Sequence, residues 1–311
     1  MLSSIQWLRP PKADLSGPRD GYTWNPIRGC SKISRGCTYC YAESLSKRNP
    51  AILGQWGPDA PRSFGARENL LEPLRWQKQA AKAMERRLVF LGSLMDIGEE
   101  RQDLSGMQDF ALGAMIPATP NLDYVLTTKR PEGLLWNCER AWGHEWPRNA
   151  WPLITTEGAR ELTERTPAIL DLARRAPVIG LSLEPLLDDP VHPLCQLYDA
   201  FLGLPNPPEL WLIWGGESGA HSRPFDCEWI RKGMWVARCA NHNNLRWRTF
   251  VKQLGEAGYD ESNGIGGPKV KQPDLISPIC RWTDEGGDPA EWPADLRVRE
   301  WPGSYPAETA Q

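Results

Sequence analysis

Short apolar runs recur along this chain with longer amphipathic stretches between them, and that alternation constrains the fold more than any other feature. The runs are Tyr22–Ile27, Arg87–Gly92, Leu122–Thr127, Trp151–Thr155, Val178–Leu183 and Leu210–Trp214. They are mostly β-branched, aromatic or Leu and lack clean polar alternation, which is how strands buried on both faces of a parallel sheet read. Between them the pattern predicts helices over Pro73–Arg86, Asp103–Met115, Leu162–Arg175 and Asp226–Ala240. Pro73 suits a first helical turn, and Asp103 and Asp226 are N-cap residues. Thr249–Gln253 predicts a seventh strand. The expectation is an α/β chain, either an open sheet or a partial barrel. Residues 1–21 read as a Pro-rich N-terminal arm, 22–255 as the domain, and 256–311 as an irregular, acidic, Gly/Pro-rich C-terminal extension packed on it.

With 311 residues, 41% apolar and 24% charged, the chain has the composition of a folded protein, and wholesale disorder is excluded. No run of about 18 apolar residues exists, so no membrane partner is expected. The opening MLSSIQWLRPPKADLSG lacks the apolar stretch of a secretory signal. Eight cysteines without such a signal point to a reduced, cytoplasmic protein in which some thiols are metal ligands. The net charge of −3 excludes a uniformly basic nucleic-acid binder. The charge is nevertheless uneven. Arg28–Arg87 holds twelve Lys/Arg against five Asp/Glu, whereas Gly255–Gln311 holds five against eleven. A basic N-terminal half is compatible with an anionic substrate and equally with a solvated helix face carrying Lys78, Lys82, Arg86 and Arg87.

In parallel α/β folds the carboxyl ends of the strands carry the chemistry. Here these ends are polar one after another. Cys30, Cys37 and Cys40 follow the first, and Ser93 and Asp96 the second. Thr128, Lys129 and Arg130 follow the third, and Thr156 and Glu157 the fourth. Ser182 and Glu184 end the fifth, and Gly215, Gly216, Glu217 and Ser218 the sixth. Six polar ends in series predict a shared active site.

The sharpest signal is C-x6-C-x2-C at Cys30, Cys37 and Cys40. Three thiolates within eleven residues of one loop are able to converge on one metal centre. A structural zinc site wants a fourth ligand at similar spacing, and the next cysteine and the first histidine are Cys138 and His144. Three ligands suit a 4Fe–4S cluster with one iron open; zinc with a distant fourth ligand is the alternative. The other five cysteines, Cys138, Cys195, Cys227, Cys239 and Cys280, are scattered and read as buried thiols.

Taken in order, several segments resemble the phage-associated, radical-SAM-like proteins with a three-cysteine motif. These are Thr23-Trp24-Asn25-Pro26 leading to Gly29-Cys30, then Ser34-Arg35-Gly36-Cys37-Thr38-Tyr39-Cys40-Tyr41-Ala42-Glu43, and Leu126-Thr127-Thr128-Lys129-Arg130-Pro131. Next come Ser182-Leu183-Glu184-Pro185-Leu186-Leu187, Trp214-Gly215-Gly216-Glu217-Ser218-Gly219, Arg223-Pro224 and Phe250-Val251-Lys252-Gln253-Leu254-Gly255. The resemblance spans residues 22–255.

It implies a partial (β/α)6 barrel of radical-SAM type. Cys30, Cys37 and Cys40 would each bind one iron of a 4Fe–4S cluster, and S-adenosyl-L-methionine (SAM) would be reduced to a 5′-deoxyadenosyl radical. An electron donor such as a flavodoxin or ferredoxin would be a partner. The phage setting points to a nucleobase, a nucleotide or a hypermodified DNA base as the substrate of an isomerisation or rearrangement, in the host cytoplasm. A base within duplex DNA would need to be flipped out. The wider superfamily has C-x3-C-x2-C, so the first gap here is three residues longer. Tyr39 stands where that superfamily often has an aromatic residue near adenine. A Gly-Gly-Glu motif contacts the methionine amino group after strand two in many such enzymes, but here Gly215-Gly216-Glu217 follows strand six. Ser93 and Asp96 are therefore the positional candidates for the amino group, and Lys129 or Arg130 for the methionine carboxylate or a substrate phosphate. Gly215 and Gly216 would let backbone approach the ligand. Glu157, Ser182, Glu184 and Glu217 remain cofactor-site candidates, and Trp24, Arg130, Trp214 and Ser218 substrate-site candidates. A reading from a different class is a non-catalytic, zinc-stabilised nucleic-acid-binding module.

Overall fold

Seven strands lie in chain order in one sheet of the computed structural model, which describes residues 2–14, 16–219, 221–260 and 287–303. They are β1 (Tyr22–Trp24), β2 (Arg87–Leu91), β3 (Leu122–Thr128), β4 (Ala150–Thr155), β5 (Val178–Leu183), β6 (Glu209–Gly215) and β7 (Trp247–Gln253). Pairing is parallel from β1 through β4 and between β6 and β7, with Tyr22 beside Val89, Leu91 beside Leu126 and Phe250 beside Ile213. Every residue of β4, β5 and β6 is buried. That accounts for the missing polar alternation in the sequence, because a parallel strand covered on both faces has no solvent side. The α/β class follows, and the seventh strand is a full member of the sheet.

The longer helices are α1 (Tyr41–Ser46), α2 (Glu72–Lys82), α3 (Pro131–Trp142), α4 (Ala159–Ala173), α5 (Val191–Leu202) and α6 (Cys227–His242). α2, α4 and α6 occupy the predicted segments, and Asp226 caps α6 by accepting from Glu228 N. The predicted helix at Asp103–Met115 is broken in character: a 3-10 turn at Gln102–Leu104, α-helix at Ser105–Asp109 and a π segment at Phe110–Met115. The sequence pattern does not predict α1, α3 or α5. The last two begin in Pro-containing stretches, and Pro131 sits at the start of α3, where a missing N–H costs nothing.

The chain divides into two compact units, 1–155 with 167–180 and 156–166 with 181–311. In the first, Tyr22 stacks on Trp76 with ring centroids 4.4 Å apart. The N-terminal arm is tied down: Ser3 N donates to Gly21 O, and Trp7 packs against Phe90. In the second, Trp214 of β6 lies against Gly233 of α6. Residues 287–303 run beside β7, where Val251 N donates to Val298 O and Glu300 N to Thr249 O. Arg231 of α6 anchors Asp260 and Asp295. Most of the predicted extension, 261–286 and 304–311, lies outside the described residues. Among the described residues no helix is long and apolar enough to cross a membrane.

Candidate metal centre

The cysteine segment leaves β1 through a tightly constrained approach. Asn25 latches onto the end of β2, its Nδ2 donating to Ser93 Oγ (2.8 Å) and its Oδ1 accepting from Leu94 N (2.9 Å). Gly29 then adopts φ +103°, and a Cβ there would sit 2.6 Å from Gln55 O, so only glycine fits before Cys30. Cys30 is held by its carbonyl, which accepts from Gly57 N (2.9 Å). Cys37 closes a 3-10 turn, with its Sγ 3.6 Å from Ser34 Oγ. Cys40 immediately precedes α1, and Ser44 N and Oγ both donate to its carbonyl. The two ends of the loop are joined by the Lys32–Glu43 ion pair at 2.7 Å.

A buried polar network grips the loop at Ser31. Asp96, behind β2, accepts from Gly98 N (2.9 Å) and Thr128 Oγ1 on one oxygen, and from Lys129 N (3.0 Å) and Arg130 Nη1 (2.8 Å) on the other. A carboxylate offers about four lone-pair sites, so Asp96 is saturated by its own protein. Arg130 Nη2 donates to Ser31 O and Oγ, both at 2.8 Å, and its Nη1 lies 3.8 Å from Cys30 Sγ. On the far side Ser31 Oγ is 2.7 Å from Glu99 Oε1, and Glu99 pairs with Arg62. Arg62 places all five of its N–H donors, on Glu99 and on the carbonyls of Gln55, Gly57 and Ala60. Burial pushes the Cys30 thiol up to about 12, reinforced by Asp96 and opposed by Arg130.

Donor chemistry and donor geometry differ at this loop. Cys30, Cys37 and Cys40 are all free thiols, which fits a thiolate-ligated centre in kind and number. Among the described residues, however, no three His, Cys, Asp or Glu side chains are grouped so as to hold a metal ion. Binding by all three thiols therefore requires the loop to draw together. Of the scattered cysteines, Cys138 and Cys227 are buried, Cys195 and Cys239 are half-buried, and Cys280 lies outside the described residues.

The second unit holds its own polar group. Fully buried Glu157 pairs with Arg165 at 2.7 Å, and its carbonyl accepts from Leu187 N. Ser182 O accepts from Thr156 N (2.9 Å). Glu184, after β5, accepts from Lys252 Nζ of β7 at 2.9 Å. A Cβ on Gly215 would fall 2.5 Å from Glu184 Oε1, and one on Gly216 2.5 Å from Leu254 O. These glycines thus admit the chain's own carboxylate and backbone, where the sequence suggested a ligand. Glu217 is held by Arg223, which donates to it from N, Nε and Nη2.

Several predicted roles change with these placements. Asp96 has no lone pair left for a methionine amino group, because Gly98 N after β2 and three donors from Thr128, Lys129 and Arg130 fill all four. Ser93 Oγ is likewise engaged by Asn25, and the Ser93 carbonyl by Tyr41 Oη. Arg130 is committed to Asp96 and Ser31 and does not stand ready for a phosphate; Lys129 contributes its backbone N–H to Asp96. Trp24 donates Nε1 to Asn69 O and packs on Tyr124 and Phe110, so it is core and no stacking platform. Trp214 is fully buried beneath α6 for the same reason. Tyr39 and Ser218 are exposed. Asn25, Ser31, Arg62, Glu99 and Lys252 were not singled out from sequence. Arg62 and Glu99 lie 37 residues apart, and only burial reveals them as partners.

No curated protein and no solved structure matches the chain. A family profile, described as DUF5131, protein of unknown function, matches residues 20–276. That stretch contains the cysteine loop, its polar clamp and all seven strands, and the chain belongs to the DUF5131 family.

Proposed function

We propose that this protein is a radical-SAM enzyme whose Cys30, Cys37 and Cys40 hold a 4Fe–4S cluster, with a nucleobase, nucleotide or hypermodified DNA base as substrate. The observation that carries the reading is the joining of three free thiols on one loop with a guanidinium donor beside the first of them. When bound, such a cluster supplies the electron that cleaves SAM to a 5′-deoxyadenosyl radical. The chain's own residues bind and orient. Asp96, Arg130, Ser31, Glu99 and Arg62 lock the start of the loop to the ends of β2 and β3. Gly29 permits the turn that presents Cys30. The proposal includes the partial (β/α)6 architecture of radical-SAM type, a cytoplasmic setting and a flavodoxin- or ferredoxin-like electron donor.

Anaerobic purification and reconstitution test the reading. A brown protein with about four irons, an EPR signal on reduction and 5′-deoxyadenosine on addition of SAM are expected. A colourless protein that carries one zinc and accepts no cluster would refute it and favour a zinc-stabilised binding module.

A further inference from the structure

Two thiols far from the cysteine loop stand on neighbouring helices of the second unit. Cys195 belongs to α5 and Cys239 to α6, and both are free and half-buried. The helices pack side by side and run in the same direction. Near their starts Lys232 Nζ pairs with Asp189 Oδ2 at 3.0 Å, and near their ends Asn243 Nδ2 donates to Tyr198 Oη at 2.9 Å. Cys195 lies six residues after Asp189 and Cys239 seven after Lys232. At about 1.5 Å of rise per residue, the two cysteines stand level within one helical turn. They also lie on facing stripes. Tyr198 is three residues beyond Cys195, while Lys232 and Asn243 are seven before and four beyond Cys239, spacings that share a helix face. The Asn243 Nδ2 that reaches Tyr198 also donates to Cys239 O at 2.9 Å, so this turn of α6 is tied directly to α5. Burial, then the charges of Asp199 and of a Cys239 thiolate, push the Cys195 thiol up. The pair therefore rests as a protonated dithiol whose members sense each other across the seam.

We propose that Cys195 and Cys239 are a modification site: a dithiol that closes to a reversible disulfide between α5 and α6. Packed helices have axes about 8–10 Å apart and Cα atoms about 2.3 Å from each axis, so facing Cα atoms come within the roughly 4.4–6.8 Å that a disulfide spans. A low-molecular-weight disulfide such as oxidised glutathione supplies the oxidising equivalents. One cysteine thiolate attacks it, forming a mixed disulfide and releasing one glutathione. The other thiolate attacks the protein sulfur of that mixed disulfide and releases the second glutathione. The two protons lost by the cysteines end on the two glutathione thiols, so two cysteines are oxidised as one glutathione disulfide is reduced. The bond ties the helix before β6 to the helix before β7. Transient disulfides of this kind are the ones that occur in reducing compartments. The inference is independent of the cluster reading, because neither cysteine belongs to the loop at residues 30–40.

The test is incubation of the full chain with oxidised glutathione, then alkylation of the remaining thiols and peptide mapping by mass spectrometry. Wild type, Cys195→Ser and Cys239→Ser are compared. Wild type is expected to give a peptide linked through Cys195 and Cys239, and a Tm several degrees above that of the reduced protein, since a cross-link constrains the unfolded chain. Dithiothreitol should reverse both changes. Each single variant should carry glutathione on its remaining seam cysteine and show no such gain in Tm. The fully buried Cys138 and Cys227 serve as internal controls and should stay unlinked. Wild-type protein in which Cys195 and Cys239 are both alkylated, or each carries its own glutathione, overturns the proposal. So does a link from either one to any other cysteine.

Discussion

Arg62 and Glu99 form an ion pair out of contact with water, with side-chain exposures of 0% and 5%. Through Ser31 the pair reaches the residue next to Cys30. Breaking a buried pair by removing one partner leaves an uncompensated charge and costs about 3–5 kcal/mol. Arg62→Met and Glu99→Gln are each expected to destabilise the protein by that amount in urea denaturation, and the double variant by clearly less than the sum. Single losses below about 1 kcal/mol, typical of a solvated pair, would show that it does not secure the loop.

Cysteine substitutions should separate the eight thiols into two groups. Cys30→Ala, Cys37→Ala and Cys40→Ala are expected to abolish iron retention after reconstitution, whereas Cys138→Ala should retain it at the cost of a small core cavity. Iron analysis and visible absorption read the result, and equal iron in Cys37→Ala and Cys138→Ala contradicts the ligand assignment.

Loading iron should visibly rearrange the loop. The three thiols are not grouped for a common metal ion, so all three bind only if residues 32–40 change conformation about the clamped Ser31. Hydrogen exchange of apo and reconstituted protein is expected to show increased protection across 32–40, centred on Cys37 and Cys40, with Gly29, Ser31 and Arg62 little altered because they are already fixed. Unchanged exchange in an iron-loaded sample would place the iron elsewhere.

Glycines in the second unit are under steric control. A Cβ on Gly233 would lie 2.1 Å from the ring of buried Trp214, so Gly233→Ala must displace an indole from β6. Alanine gains about 1 kcal/mol of helix propensity, but overpacking typically costs 1–3 kcal/mol. A net fall in Tm is expected. Gly215→Ala should push Glu184 away from Lys252, and the added Glu184→Ala substitution should restore most of the loss. A Tm increase in Gly233→Ala would mean that the indole has room to move.

What could be read from the sequence followed the range of the interactions involved. The unbroken apolar runs at Val178–Leu183 and Leu210–Trp214 announced doubly covered parallel strands, because burial on both faces leaves its mark on every residue of a strand. α3 escaped notice because Pro131 reads as a breaker unless it is known to occupy the first turn. The cysteine loop was visible because its donors are neighbours in the chain. Asp96 and Arg130 were visible as polar strand ends, but not as each other's partners. Nor did the indoles of Trp24 and Trp214 betray that both are core: an aromatic beside a polar loop looks the same whether it faces a ligand or a helix.

The sequence by itself determined the α/β class, the succession of seven strands and the concentration of three thiols between residues 30 and 40, since each is written in local pattern and spacing. Only the tertiary structure decided that Asp96 is saturated, that Arg130 turns toward Cys30 and that Arg62 finds Glu99. Those outcomes depend on which donors and acceptors are shut away together from water, where a polar group left without a partner costs far more than it does at the surface.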